Sequence, residues 1–131
     1  MSTKPKLAFD VCWEVYRGAR ERLESKDTAT AFQFIPEAHP AKLREYVADF
    51  AVAGRDALAG PELAARAVLF RLYYLGLEPY KHAKYFIGLS ERGWVNWTDD
   101  IRERVGRQLL KRGMFPPRRY ITTGGEDGGK A

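Results

Sequence analysis

The sequence predicts an all-α protein, a five-helix single-domain bundle, on three observations. Apolar residues recur at helical spacing in five separate segments. Glycine, proline and serine stand where those segments start and stop. No run alternates apolar and polar residues over the length of a strand. A chain of 131 residues is also long enough to bury a core without covalent staples.

The first segment, residues 7–24, carries Val11, Val15, Ala19 and Leu23 at steps of four, the stripe of an amphipathic helix. Trp13 and Tyr16 fall off that stripe and are read as a second contact surface or an exposed aromatic edge. The connection "SKDTATAFQFIPEAHP" follows, with Phe32, Phe34 and Ile35 expected to plug the core from a loop. His39, just before Pro40, has at most a capping role. A second helix runs from about Ala41 to Leu58 with Leu43, Val47, Phe50, Gly54 and Ala57 on its apolar side.

The third helix has Gly60 as its cap, Pro61 at its first position and Glu62 beside the positive end of its dipole. Leu63, Ala67, Phe70 and Tyr74 line one side, and Val68, Leu72 and Leu75 another. Being apolar nearly all round, it is expected to be the central helix of the bundle, ended by Gly76. A short fourth helix starts at Pro79 and ends at Gly88, with Ala83, Phe86 and Ile87 inward. The fifth starts after Ser90, a good N-cap, and carries Trp94, Trp97, Ile101, Val105 and Leu109 on one face. Gly113 stops it and Pro116-Pro117 prevent its resumption. Residues 1–121 are thus read as one helical domain and residues 122–131, ending "GGEDGGKA", as a disordered tail.

Cys12 has no cysteine to pair with, and its apolar neighbours mark it as a small buried hydrophobe in a reducing compartment. The N-terminus has no apolar run of signal-peptide length, and "AARAVLFRLYYLGL" is interrupted by Arg66 and Arg71. The expected location is the cytoplasm. Net charge is +5, but unevenly placed. Residues 1–80 hold eleven basic and eleven acidic side chains, residues 81–121 ten basic and four acidic, and the last ten residues one basic and two acidic. Positive charge gathered in one segment attracts phosphate, whereas an even spread mainly favours solubility.

That basic segment contains two helices joined by a short glycine turn, the second longer, in the organisation of a C-terminal helix-turn-helix spanning about residues 79–112. "AKYFIGLSERGWVNWTDDI" resembles the helix-turn-helix of bacterial and phage DNA-binding proteins, including the sigma-factor region-four type and phage transcription regulators. Ile87, Gly88, Leu89, Ser90, Trp94 and Trp97 fill that pattern's roles. It departs from the pattern at Lys84, where a small residue normally lets the helices cross, and at Gly93, which weakens the second helix. The match covers about twenty residues and implies sequence-dependent binding of double-stranded DNA in transcription regulation, without a cofactor.

With Trp94, Trp97 and Ile101 buried, the opposite face shows Glu91, Arg92, Asn96 and Asp99. Arg92 suits guanine, Asn96 adenine and Glu91 the amino group of cytosine, at the helix end that reaches bases. Lys81, His82 and Lys84 would lie across phosphates, as would the amides at Ser90. Arg118 and Arg119, after the stiff Pro-Pro, would follow the backbone as an arm, while Phe115 and Tyr120 fold back onto the core. Asp99 and Asp100 oppose DNA unless paired, and Asp100 with Arg104 has the favourable spacing.

Catalysis is not expected. Two distant histidines and one cysteine make no zinc site, and there is no phosphate-cradling loop or nucleophile with an evident base. A rival reading is an interaction protein of phage or mobile-element type, binding RNA polymerase, a nuclease or another large protein through Trp13, Tyr16 and surface arginines. A third is non-specific RNA or single-strand binding through Tyr73, Tyr74, Tyr80, Tyr85 and the arginines. A homodimer would compensate for the small surface that one helix-turn-helix buries on DNA.

Overall fold

In the computed structural model, which describes residues 3–24 and 40–121, α1 (Thr3–Glu24) and α2 (Pro40–Ala57) lie antiparallel. A 3-10 turn (Pro61–Leu63) leads into α3 (Ala64–Leu69), which continues as a π-helical stretch (Phe70–Leu75). Then come α4 (Tyr80–Ile87), the long α5 (Glu91–Lys111) and the single-turn α6 (Arg118–Ile121). The protein is an all-helical single-domain bundle, with no strand among the described residues. Phe32, Phe34, Ile35, His39 and residues 122–131 lie outside the described residues, as do the side chains of Arg119 and Ile121. Among the described residues no helix is long and apolar enough to cross a membrane.

The centre of the bundle is α1 against α5, not α3 as its composition suggested. Alanine counts as apolar in a helical pattern but holds little surface to bury, and Ala64 and Ala65 of α3 face solvent. At the α1–α5 crossing, Gly106 meets the backbone of α1. A Cβ there would lie 1.8 Å from the Pro5 carbonyl oxygen, so only glycine permits the approach.

The buried face of α1 is Ala8, Phe9, Cys12, Val15, Tyr16 and Ala19. The expected stripe at steps of four is therefore corrected: each step of four overshoots a full turn by about 40°, so such a stripe drifts around the helix. Tyr16 is buried, and its hydroxyl donates to the Leu75 carbonyl at 2.7 Å. Half-buried Trp13 donates from Nε1 to the Tyr74 carbonyl at 2.9 Å, and Arg20 reaches the Leu75 carbonyl at 2.6 Å. These α1 side chains satisfy the last carbonyls of the π-helical stretch, which have no partner further along their own helix. The left-handed residue after that stretch is Leu77, with φ 58°, while Gly76 stays right-handed.

On α2 the core side is Leu43, Tyr46, Phe50, Ala53 and Gly54. Tyr46, unforeseen, donates to the Cys12 carbonyl at 2.7 Å. Cys12 is fully buried as expected, and burial pushes its thiol up to about 11. The C-terminal aromatics fold back: Tyr120 is buried, edge-on to Tyr46, and its hydroxyl donates to Asp49 at 2.7 Å. Phe115 is half-buried against the same core.

Candidate nucleic-acid interface

Eight residues of α4, a three-residue turn and the first turns of α5 form one local unit. Pro79 opens α4 with extended backbone, and Gly88 closes it at φ 85°, a conformation that a side chain disfavours. The amides of Gly88 and Leu89 both return to the Lys84 carbonyl, at 2.9 and 3.1 Å. Ser90 then caps α5, its hydroxyl accepting from the Gly93 amide at 3.0 Å. Ser90 and Gly88 thus have the local roles their sequence positions implied.

The inward face of this unit is aromatic. Trp94 is buried, edge-on to Tyr73 and Tyr80 at centroid separations of 5.0 and 4.9 Å. Trp97 is half-buried under the Arg66 guanidinium, 4.8 Å from its ring centroid. Leu89 and Ile87 pack against the same cluster, and Ala83, not Lys84, is the buried small residue of α4. Phe86 reverses its expected direction. It stands 71% exposed and its neighbour Tyr85 88% exposed, because α4 docks on α3 through Ala83 and leaves both rings outside.

The outward strip of α5 is Glu91, Arg92, Val95 and Asn96, all exposed. The three expected base-reading residues therefore share one surface, with Val95 an unforeseen apolar member. Glu91 is held in place: Oε2 accepts from Lys84 Nζ at 2.7 Å and from the Tyr80 hydroxyl at 2.5 Å. The Lys84 ammonium, then the Tyr80 hydroxyl, keep its carboxyl below the usual range, and Glu91 in turn raises both partners. Its Oε1 accepts no hydrogen bond among the described residues.

The pairing of charges redistributes the basic segment. Lys84 is engaged with Glu91, His82 Nδ1 lies 3.7 Å from Glu78, and Arg112 is tied to Asp56. Arg102 takes Asp10 at 2.7 Å, and Arg107 takes Glu103 at 2.5 Å. Both aspartates that opposed DNA are themselves paired, Asp99 with Lys6 at 2.7 Å and Asp100 with Arg66 and Arg104, each at 2.9 Å. Lys81 and Arg92 form no salt bridge among the described residues and flank the turn between α4 and α5, with Lys81 near enough to Glu91 to add to the lowering of its carboxyl. Arg118 is exposed but stands on α6, beyond the other end of α5 and beside α2, so Lys81 and Arg118 do not belong to one cluster. The side chain of Arg119 lies outside the described residues.

Of the tyrosines considered as stacking platforms, Tyr74 is buried, Tyr73 and Tyr80 are half-buried against Trp94, and Tyr85 alone stands clear. Trp13 and Tyr16, the surface of the rival protein-binding reading, are committed to the core and to α3. Among the described residues no group of histidine, cysteine and carboxylates is arranged to hold a metal ion. No family model, curated protein or solved structure matches the chain.

Proposed function

We propose that the protein binds double-stranded DNA with sequence preference, as a regulator of transcription acting in the cytoplasm, through a helix-turn-helix made of α4, the Gly88 turn and the first half of α5. The observation that carries this reading is the outward strip of Glu91, Arg92, Val95 and Asn96, set directly after a capped turn and backed by Trp94. An α-helix enters the major groove, and residues near its N-terminus reach base edges. Arg92 forks onto guanine and Asn96 onto adenine, while Glu91 accepts from cytosine through its open Oε1. Val95 adds a surface for a thymine methyl.

Lys81 and the backbone amides of Glu91 and Arg92 serve phosphate oxygens, since the Gly93 amide is already taken by Ser90. Lys84 acts through Glu91 in this reading, fixing the carboxylate. The work is binding, with no catalytic step and no cofactor. The rival reading, a partner such as RNA polymerase or a nuclease, rests on Trp13, Tyr16 and surface arginines; of these, Trp13 and Tyr16 spend their polar atoms on the Tyr74 and Leu75 carbonyls.

Selection of bound duplexes from a random pool, with the winner titrated at two salt concentrations, tests the proposal. An enriched motif is expected, and Arg92→Ala should erase preference at one base pair, costing about 1–3 kcal/mol there. Binding without any motif, vanishing as salt rises, would reduce the surface to a basic patch.

A further inference from the structure

We infer that the protein holds a small amphipathic carboxylate in the hollow between α2 and the π-helical stretch, with Arg55 and Arg71 taking its anionic head. The hollow has a volume of about 310 Å³. Ala51, Gly54 and Leu58 form its apolar wall on one side, and Ala67, Phe70 and Leu75 on the other. Small residues make the room, since a longer side chain at Ala51 or Ala67 would occupy it. The floor is fixed. A Cβ on Gly54 would collide with the Phe70 ring, so that ring rests directly on the α2 backbone, and it also stacks with Phe50 at 6.0 Å. An apolar cavity of about 150 Å³ already accepts a benzene ring, so about twice that volume admits two fused rings or a medium-length chain.

Charge selects the head group. Arg55 and Arg71 line the hollow from its two sides, both exposed at its mouth, and no acidic side chain lines it. Neither arginine forms an ion pair among the described residues, and Asp56, next to Arg55 in the chain, is taken by Arg112. A neutral apolar ligand would leave both guanidinium groups without a partner, and a bare inorganic anion would leave the apolar wall in water. A molecule with an apolar body and an anionic head meets both halves. The planar guanidinium fork matches a carboxylate at two points. Arg71 also stands in a π-helical stretch, a backbone form that recurs at functional sites. No residue of the Glu91–Asn96 strip lines the hollow, so the site is separate from the duplex-reading surface.

Amide NMR of the full chain, without DNA, tests the site by titration with naphthoate and octanoate, each beside its neutral amide. Saturable shifts centred on Ala51, Gly54, Ala67, Phe70, Arg71 and Leu75 are expected with at least one of the two acids. Its amide should bind about tenfold more weakly. Arg55→Gln and Arg71→Gln change exposed side chains and so leave the fold intact. Each should weaken the acid about tenfold and leave the amide unchanged. Ala51→Met fills the hollow and should remove binding of acid and amide alike. The inference is overturned if neither acid saturates at millimolar concentration, if acid and amide bind equally, or if the shifts centre on another face. Shifts at the hollow that grow with protein concentration alone would assign it to a second copy and overturn it as well. No DNA is present, so a failed titration leaves the duplex reading untouched, and an empty duplex selection leaves the carboxylate site standing.

Discussion

Residues 91–100 and 101–111 belong to one continuous helix, yet they sit in opposite circumstances. The second half buries Ile101, Val105, Gly106 and Leu109, and α1 crosses it so closely that Gly106 touches the Pro5 carbonyl region. The first half buries only Trp94 and leaves Arg92, Val95 and Asn96 in solvent. A helix is stiff along its axis, so clamping one half fixes where the other half projects. Precise placement with side chains left unengaged is what a recognition surface requires. The comparison also separates two kinds of mutation, those that loosen the clamp and those that blunt the projecting strip.

The largest effect belongs to the clamp. Gly106→Ala drives a methyl into the Pro5 carbonyl, and α1 must withdraw along the bundle's most extensive interface. Denaturant unfolding should register a loss of about 3 kcal/mol or more. A variant within about 1 kcal/mol of wild type would mean that α1 and α5 do not meet at this glycine.

Next comes the thiol beneath the same crossing. Cys12 lies against the Met114 carbonyl, and its pKa is raised from 9.0 to about 11 by burial. The folded state therefore holds its proton more tightly than the unfolded chain. Stability from this source is complete below pH 9 and declines as pH rises toward 11, by about 2–3 kcal/mol in all. Tyr46 and Tyr74, also raised by burial, extend the decline to higher pH. Stability measured from pH 8 to 11 should fall in wild type and fall less steeply in Cys12→Ala. Equal slopes would show that Cys12 keeps no proton for the fold.

What the sequence made legible, and what it hid, divides along a physical line. The helices α1 to α5 were foreseen, as were the Ser90 cap and the Gly88 turn, because these depend on residues within a turn or two of each other. Tyr16 was misread because its hydroxyl partner, the Leu75 carbonyl, lies 59 residues away. Phe86 was misread because α4 offers several apolar side chains in eight residues, and docking on α3 rather than periodicity decides which face is covered. The excess charge of residues 81–121 looked like one patch. Asp10 and Asp56, from α1 and α2, neutralise part of it, and only the fold brings them there. The strip of Glu91, Arg92 and Asn96 was readable because Trp94 and Trp97 mark the opposite face. The Lys84–Glu91 tie across the turn was not.

A moderate effect is expected where clamp and strip join. Ser90→Ala removes the side-chain acceptor for the Gly93 amide and should cost about 1 kcal/mol of stability. Fraying of the first turn of α5 should appear as faster hydrogen exchange at Gly93, with the second half of the helix unchanged. Faster exchange reaching Val105 and Leu109 would show that the halves do not behave separately.

The smallest change in stability belongs to the strip itself. Arg92 and Asn96 are exposed and make no side-chain hydrogen bond or salt bridge among the described residues, so Arg92→Ala and Asn96→Ala should each leave unfolding free energy within about 0.5 kcal/mol of wild type. Functional side chains commonly show this pattern, since a group reserved for an external partner contributes little to the fold that carries it. A measurable loss of stability in either variant would place that residue in the scaffold. Unchanged stability together with lost base preference would assign it to recognition, because the damaged property would then be the one that requires DNA. The contrast within α5 is thereby resolved one residue at a time, with stability as the internal control for every binding measurement.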